Sequence, residues 1–293
     1  MLVTLKTLLT DAKKQQRAVG AFNAPNLETI RAAIEAAEEL QSPVILQHAE
    51  GHDSLIPLAE IGPIMLDYAK RATVPVAVHL DHGASFDACL QAIRLGFTSI
   101  MYDASSKAYQ DNLKETKEIV KIAHSVGVSV EAELGHIFTS ALGGGEGRAV
   151  DPEEVYDDVE AIYTDPEIAK EFVLETEVDC LAIAFGTVHG VYLKEPKLDL
   201  PRIKKIRDAT ALPLVMHGGS GVSEADYRTA IANGICKINY YTYGNQAGGR
   251  AVADYIRQVS TDDQLFFEDV VTSGTAGIKA DLKAAMAIFK NTI

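Results

Sequence analysis

Short apolar, β-branched runs alternate with longer segments of helical period along the whole chain. The runs fall at Ala18–Phe22, Val44–Gln47, Val76–Leu80, Ser99–Tyr102, Ser129–Leu134, Cys180–Phe185, Leu214–Met216 and Cys236–Asn239. Each is short, nearly continuous in apolar residues and bounded by turn formers, which predicts strands. Between them, apolar positions recur with helical spacing over Leu27–Leu40, Leu58–Lys70, Phe86–Leu95, Asn112–Val126, Pro166–Glu177, Pro201–Ala209, Glu224–Ala232 and Ala247–Val259. A last helix is predicted near Ile278–Lys290. Thr164-Asp165-Pro166 and Asp199-Leu200-Pro201 carry helix-start signals. Pro43, Pro75, Gly127 and Pro213 punctuate the approach to strands. The first residues, Met1–Lys14, are mixed polar and apolar and receive no element.

Eight strand–helix units with near-continuous apolar strands imply parallel strands covered by helices. Eight is the number that closes a barrel, so the predicted fold is α/β, a (β/α)8 TIM barrel, with an open doubly wound sheet as the competitor. No shift in composition divides the chain, so residues 1–293 are expected to form one domain. One connection is out of scale: about thirty residues separate Gly135 from Thr164, and they include Leu142-Gly143-Gly144-Gly145-Glu146-Gly147. A long glycine-bearing loop after the fifth strand suggests a lid over a site, against the plainer reading of a surface decoration.

Composition narrows the partners. Hydrophobic residues make up 47% and charged residues 23%, an ordinary globular balance. No apolar run reaches the roughly 18 residues of a membrane span, and the start of the chain lacks the apolar region of a signal peptide. Three cysteines, Cys89, Cys180 and Cys236, sit in apolar stretches, which suits free thiols in a reducing cytoplasm. A formal charge of −14 argues against nucleic acid and anionic membrane as partners. An anionic substrate would need local help from backbone amides, a lysine or a metal.

Seven of the eight histidines follow or close a predicted strand: His48, His52, His79, His82, His136, His189 and His217. His124 alone lies in a helical pattern and reads as structural. Active sites of such barrels occupy the C-terminal ends of the strands, so histidines far apart in sequence can converge there. His82, His189 and His217 suit a metal best, because each lies in a turn flanked by glycine: Asp81-His82-Gly83, Val188-His189-Gly190 and Met216-His217-Gly218-Gly219. A catalytic ion takes three protein ligands and keeps one open position. Singly, each histidine reads as a hydrogen-bonded structural group; three in matching positions read as ligands. Asp81 could orient a ligand or act as a general base, with His79 supporting either role. Glu131 and Glu133 place two carboxylates on one face of an apolar strand. They read either as a salt bridge to a barrel lysine such as Lys237 or as part of the site. Gly218-Gly219-Ser220-Gly221 and Asn239-Tyr240-Tyr241-Thr242 follow the seventh and eighth strands, where barrels of this kind hold phosphate.

Together these motifs resemble the class II fructose-bisphosphate and tagatose-bisphosphate aldolases. The resemblance runs through Ala21-Phe22-Asn23, His79-Leu80-Asp81-His82-Gly83, Met101-Tyr102-Asp103, Glu131-Ala132-Glu133-Leu134-Gly135, Phe185-Gly186-Thr187-Val188-His189-Gly190, His217-Gly218-Gly219-Ser220-Gly221 and Lys237-Ile238-Asn239. It implies retro-aldol cleavage of a phosphorylated ketose to dihydroxyacetone phosphate and an aldehyde. His82, His189 and His217 would bind the catalytic zinc or another divalent ion, with Glu133 and Asp103 near a second or alternative metal position. Asp81 would be base and acid at the C4 hydroxyl, and Glu146 the loop acid at C3. Asn23 and Asn239 would contact the substrate. Gly190, Gly218, Ser220 and Thr242 would surround the C1 phosphate, with a monovalent cation (Na+ or K+) close by. A cytoplasmic homodimer or homotetramer is also implied.

The chain departs from the family pattern in two places. Ala49 stands after the second strand where a serine is usual, with the extra histidines His48 and His52 beside it. Phe267–Thr275 carries two acids and no arginine, where bisphosphate-cleaving members carry an arginine for the distal phosphate. The expectation is therefore a substrate whose aldehyde half lacks a phosphate or carries its charge elsewhere. Rival readings are a Schiff-base aldolase using Lys237, a metal-dependent hydrolase barrel, and a phosphosugar-binding barrel without activity.

Overall fold

The apolar runs become eight parallel strands that close on themselves. In this computed structural model the described residues are 1–140, 142–143, 162–193, 195–259 and 264–291. The elements are α1 (Leu5–Lys14), β1 (Val19–Asn23), α2 (Leu27–Leu40), β2 (Val44–Ala49), a 3-10 turn (Glu50–Ser54), α3 (Leu58–Arg71), β3 (Val76–Gly83), α4 (Phe86–Leu95), β4 (Ser99–Tyr102) and α5 (Tyr109–Ser125). They continue with β5 (Ser129–Leu134), β6 (Phe138–Thr139), α6 (Pro166–Thr176), β7 (Cys180–Ile183), β8 (Val188–His189), α7 (Leu200–Thr210), β9 (Leu214–Met216), α8 (Glu224–Asn233), β10 (Ile235–Asn239), α9 (Thr242–Gln258) and α10 (Phe267–Phe289). The barrel order is β1-β10-β9-β7-β5-β4-β3-β2, and β6 and β8 form a separate parallel ribbon. This is the (β/α)8 TIM barrel that the alternation predicts. Among the described residues no helix is long and apolar enough to cross a membrane.

Alternation of side chains along each strand divides the apolar residues into two layers. One face of each strand packs outward against the helices, with Val44, Leu46, Val76, Val78, Ile100, Val130, Leu181 and Ile238 among the buried residues. The other face points inward, where Val19, Ala21, Ile45, Ala77, Cys180, Ala182 and Val215 form a second cluster with Leu5, Leu8, Leu9 and Ala12 of α1. Helix α1 therefore closes the N-terminal mouth of the barrel. It received no element from the sequence, although its buried stripe has the i, i+3, i+4, i+7 spacing of an amphipathic helix. With its bottom filled by hydrocarbon, the barrel keeps its polar interior for the opposite end.

Helices α9 and α10 begin earlier than periodicity predicts, at Thr242 and Phe267 rather than near Ala247 and Ile278. Glycines inside both helices obscured the pattern, and tertiary packing explains them. A Cβ on Gly248 would lie 2.7 Å from Ile278 Cγ1, and one on Gly277 would lie 2.6 Å from Ala251 Cβ. The two helices touch through backbone, which outweighs the low helix propensity of glycine.

Truncating the plug tests its contribution. Leu9 is fully buried, and Leu9→Ala is expected to cost about 2–5 kcal/mol of stability. Urea unfolding measures this; a cost below about 1 kcal/mol would mean that the barrel floor holds without α1.

Candidate active site

Asp81 and His82 are consecutive, yet both reach the C-terminal mouth of the barrel. A regular strand would send them to opposite faces. The pairing of β3 with β4 shifts register between Leu80 and Gly83, and His82 adopts a left-handed backbone with φ 45°. That local irregularity turns the imidazole inward beside Asp81. Gly83 follows because the chain is crowded: a Cβ there would lie 2.7 Å from the Met101 carbonyl oxygen.

His189 arrives by another route. The chain after β7 forms the β8 ribbon strand, which pairs with β6 from the long loop. The Ser140 amide donates to the His189 carbonyl at 2.8 Å, fixing this backbone over the mouth. His217 follows the last residue of β9 directly. The three rings meet at steep angles, His82 lying 4.9 Å from His189 and 4.6 Å from His217 between centroids. All three are buried.

The hydrogen bonds of these rings decide what can sit between them. His82 Nδ1 donates to Asp103 Oδ2 at 2.9 Å, and His217 Nε2 donates to Glu131 Oε1 at 2.8 Å. The remaining nitrogens, His82 Nε2 and His217 Nδ1, then face each other at 3.0 Å, and His189 Nε2 lies 3.3 Å from His82 Nε2. Neutral imidazoles oriented this way present lone pairs to one another, which repel unless a cation lies at the focus. Zinc bound to imidazole at about 2.0–2.1 Å has tetrahedral edges of about 3.3 Å, close to this spacing. The residues fit a divalent ion. His82 with Asp103 and Glu133 forms a second group whose ligand atoms also lie within 4.8 Å of one another.

The electrostatics point the same way. Burial works against a charged His82, but the Asp81 and Asp103 carboxylates outweigh it and raise the group to about 10. Burial and the charge on His82 push both His189 and His217 below the usual range. The focus thus favours a single positive charge, on His82 rather than on His189 or His217. Around it, Glu131 accepts from Lys237 Nζ at 2.7 Å as well as from His217. The salt bridge to Lys237 expected for Glu131 is therefore present, and the same carboxylate also holds His217. Burial opposes its charge, and the Lys237 ammonium and His217 nevertheless hold Glu131 well below the usual carboxylate range. Glu133 Oε2 lies 3.5 Å from His217 Nδ1. His79 donates or accepts at Ser99 Oγ, 3.0 Å away. His124, at the far end of the barrel, pairs with Asp179 at 2.9 Å.

Asp81 sits in a cage of amides. Asn23 Nδ2 and Gln47 Nε2 donate to its Oδ2 at 2.8 and 3.0 Å, and Asn239 Nδ2 donates to its Oδ1 at 3.0 Å. Burial opposes the charge, but His82, Lys237 and His217 keep the carboxyl ionised. Gln47 was missed as a site residue. It lies on an apolar strand, and only the register of β2 against β3, with Gln47 beside His79 and Ala49 beside Asp81, brings it here.

The glycine turns come together beside the histidines. A Cβ on Gly218 would lie 3.0 Å from the His189 amide nitrogen, and the Gly219 amide donates to the Asn239 carbonyl at 3.0 Å. Ser220 Oγ accepts from the Tyr241 amide at 3.1 Å, and Thr242 Oγ1 donates to the Gly143 carbonyl at 2.9 Å. Thr242 opens α9, so helix amides head this region. Gly190 continues the turn from His189 with φ 92°. Glu146 lies outside the described residues. The cavity of about 660 Å³ lined by Phe138, Tyr163, Val191 and Leu198 lies beside the β6–β8 ribbon and has none of the converging ligand atoms on its walls.

A family model described as "Fructose-bisphosphate aldolase class-II" matches residues 3–292. This chain belongs to the class-II fructose-bisphosphate aldolase family. The aldolase is 41% identical to the fructose-bisphosphate aldolase of Geobacillus stearothermophilus, over 98% of this chain and 96% of that one. It is 43% identical to the probable fructose-bisphosphate aldolase of Bacillus subtilis (strain 168), over 86% of each chain. In structure it is similar to the YdjI aldolase of Escherichia coli K12, with a TM-score of 0.85, 36% identity, and coverage of 99% of this chain and 97% of that one. It is a carbon–carbon lyase, and the family implies a divalent metal. The hydrolase, Schiff-base and non-catalytic readings give way to this membership. Lys237, the lysine a Schiff base would need, is fully buried in its bond to Glu131.

Buried histidines set an acid limit on this fold. Burial, ahead of the nearby charges, depresses His52 to about 4 and His79 to about 3. Unfolded, both take up protons near pH 6.5, so the unfolded chain binds more protons below that pH and stability falls as pH falls from 6.5 towards 4. His52→Leu removes one such group. Its stability is expected to decline less steeply over that window, by up to about 1.4 kcal/mol per pH unit, in denaturant titrations at several pH values. Equal slopes would mean that His52 titrates alike folded and unfolded.

Proposed function

We propose that this aldolase cleaves a ketose 1-phosphate between C3 and C4, releasing dihydroxyacetone phosphate and an aldehyde, with zinc held by His82, His189 and His217. The observation that carries this reading is the focus of three imidazole nitrogens, 3.0 and 3.3 Å apart, beside an ionised and amide-caged Asp81. Asp103 and Glu131 orient two of the rings, the arrangement by which outer carboxylates raise the basicity of histidine ligands. Bound there, the divalent ion supplies Lewis-acid stabilisation of negative charge developing on the substrate oxygens.

The chain's own residues perform the proton chemistry. Asp81 accepts the proton of the C4 hydroxyl. The O–H electron pair becomes the aldehyde carbonyl, the C3–C4 bond breaks, and its pair remains on C3. A proton then returns to C3 and the ketone product leaves. Asn23, Gln47 and Asn239 hold the Asp81 carboxylate in one orientation, which favours transfer along a single direction. The amides of Gly190, Gly218 and the α9 N-terminus, with the Ser220 and Thr242 hydroxyls, support binding of the C1 phosphate. Ala49 beside Asp81, and the acids Glu268 and Asp269 at the head of α10, support an aldehyde half without a phosphate.

Deuterium exchange into C3 of dihydroxyacetone phosphate tests the reading without a choice of aldehyde. Exchange is expected from the metal-loaded protein and not in the presence of chelator, by proton NMR. Asp81→Ala should lower ketose cleavage by at least about 100-fold while metal content stays at the wild-type level. Parallel loss of metal would assign Asp81 to the structure of the ion site instead.

The distal half is tested by substrate comparison. Fructose 1-phosphate and fructose 1,6-bisphosphate are expected to be cleaved with kcat/KM values within about tenfold of each other, a margin of ~1.4 kcal/mol. A preference of a thousandfold or more for the bisphosphate would reject the unphosphorylated aldehyde half.

A further inference from the structure

His52 is buried at 2% exposure, and neither of its ring nitrogens has a hydrogen-bond partner among the described residues. A neutral imidazole carries one donor and one acceptor, and leaving both unmet inside a protein is costly. Such a group persists where a ligand or an ordered water completes it. The residue belongs to the 3-10 turn that follows β2, and the amides of Leu55 and Ile56 hold its carbonyl at 2.8 and 3.1 Å. Its ring packs against Tyr241, 4.9 Å between centroids, and edge-on to His48 at 6.1 Å. Tyr241 follows β10, so the pair spans the loops after β2 and β10, over the end of β1 where Asn23 reaches Asp81.

The position relative to Asp81 says which part of a substrate comes near. The glycine turns and α9 lie on the β9–β10 side of the mouth. Asp81 is on β3, and β2 is its immediate neighbour, with Ala49 presenting only a methyl group beside Asp81. Taking the reading above, in which Asp81 meets the C4 hydroxyl and the phosphate lies towards Gly218, the β2 side receives the carbons beyond C4. The charges that bear most on His52 are His48, Asp81, His82 and Asp53. Burial keeps the ring neutral at pH 7, which suits an uncharged hydroxyl better than an anion.

We propose that His52 is a specificity-determining residue that hydrogen-bonds a hydroxyl on the carbon next to the aldehyde, C5 of the ketose. His48 stays in place beside it, its Nε2 bound to Asp53 at 2.9 Å. The imidazole of His52 is thus held by ring contacts with His48 and Tyr241 rather than through its nitrogens, which are left for the ligand. A site built to pair with a hydroxyl discriminates strongly against the analogue without it, because its own polar atoms are then stranded.

Condensation of dihydroxyacetone phosphate with glycolaldehyde and with acetaldehyde tests this, since the two acceptors differ by that one hydroxyl. The readout is the ratio of their kcat/KM values in wild type, His52→Leu and His52→Gln. The ratio is expected to fall at least tenfold in His52→Leu, which keeps the volume and removes the nitrogens. It should stay within threefold of wild type in His52→Gln, which keeps a donor and an acceptor. The melting temperature of metal-loaded His52→Leu at pH 7.5 should equal or exceed that of wild type, because no internal partner is lost. An unchanged ratio, or a melting temperature lower by more than five degrees, would overturn the assignment. If the wild type condenses both aldehydes and only the ratio fails to move, the fault lies with His52 alone. If metal-loaded wild type neither exchanges C3 of dihydroxyacetone phosphate nor condenses either aldehyde, the cleavage reading falls and this inference with it.

Discussion

Three imidazole nitrogens pointed at one another are stable only around a positive charge, and much of the barrel's upper half is arranged to satisfy that constraint. Asp103 and Glu131 bind the outer nitrogens of His82 and His217 and so turn the inner lone pairs towards the focus. Glu131 is itself buried and could not remain ionised alone. Lys237, from the opposite wall, neutralises it at 2.7 Å. The result is a hydrogen-bonded chain from the lysine ammonium through the carboxylate and a neutral imidazole to the expected ion. Breaking it at any link would strand a charge in a dry interior, where an unpaired ion costs several kcal/mol.

The same principle governs Asp81, the proposed general base. Asp81 is surrounded by neutral donors, two on one oxygen and one on the other, while its positive neighbours keep it ionised. Carboxamides orient the carboxylate without becoming partners in proton transfer. This also explains how asparagine and glutamine side chains can occupy inward positions of β1, β2 and β10, where hydrocarbon would be expected. They lie above the apolar layer that α1 completes, so the barrel interior changes from hydrocarbon at the bottom to hydrogen-bonded charge at the top. Among the described residues, single polar atoms elsewhere at the mouth also lack a hydrogen-bond partner. His52 has both ring nitrogens without one, and its position over the β2 side gives that feature a direction.

Local pattern predicts the structure correctly where burial is periodic. The strand candidates matched because parallel strands covered on both faces are short and uniformly apolar, and the helices matched where one face alone is buried. It misleads where tertiary contact replaces local preference. Gly248 and Gly277 look like interruptions, yet they are the points at which α9 and α10 meet backbone to backbone. The stripe of Leu5, Leu8, Leu9 and Ala12 was available to inspection, but nothing local says that it closes a barrel. The β6–β8 ribbon involves two-residue strands and leaves no periodic signature at all.

The sequence by itself determined the class of fold and the eight units, and it singled out the histidines and Asp81 as candidates, because glycine-flanked turns after strands are local features. It also showed the missing distal arginine and the extra histidines. Tertiary structure alone decided which nitrogen of each ring faces the focus, that Gln47 joins Asn23 and Asn239 around Asp81, and that Glu131 serves Lys237 and His217 together. It also decided that the ring nitrogens of His52 have no hydrogen-bond partner among the described residues. These are distances between residues on different strands, fixed by barrel closure and register, and a one-dimensional pattern carries no information about them.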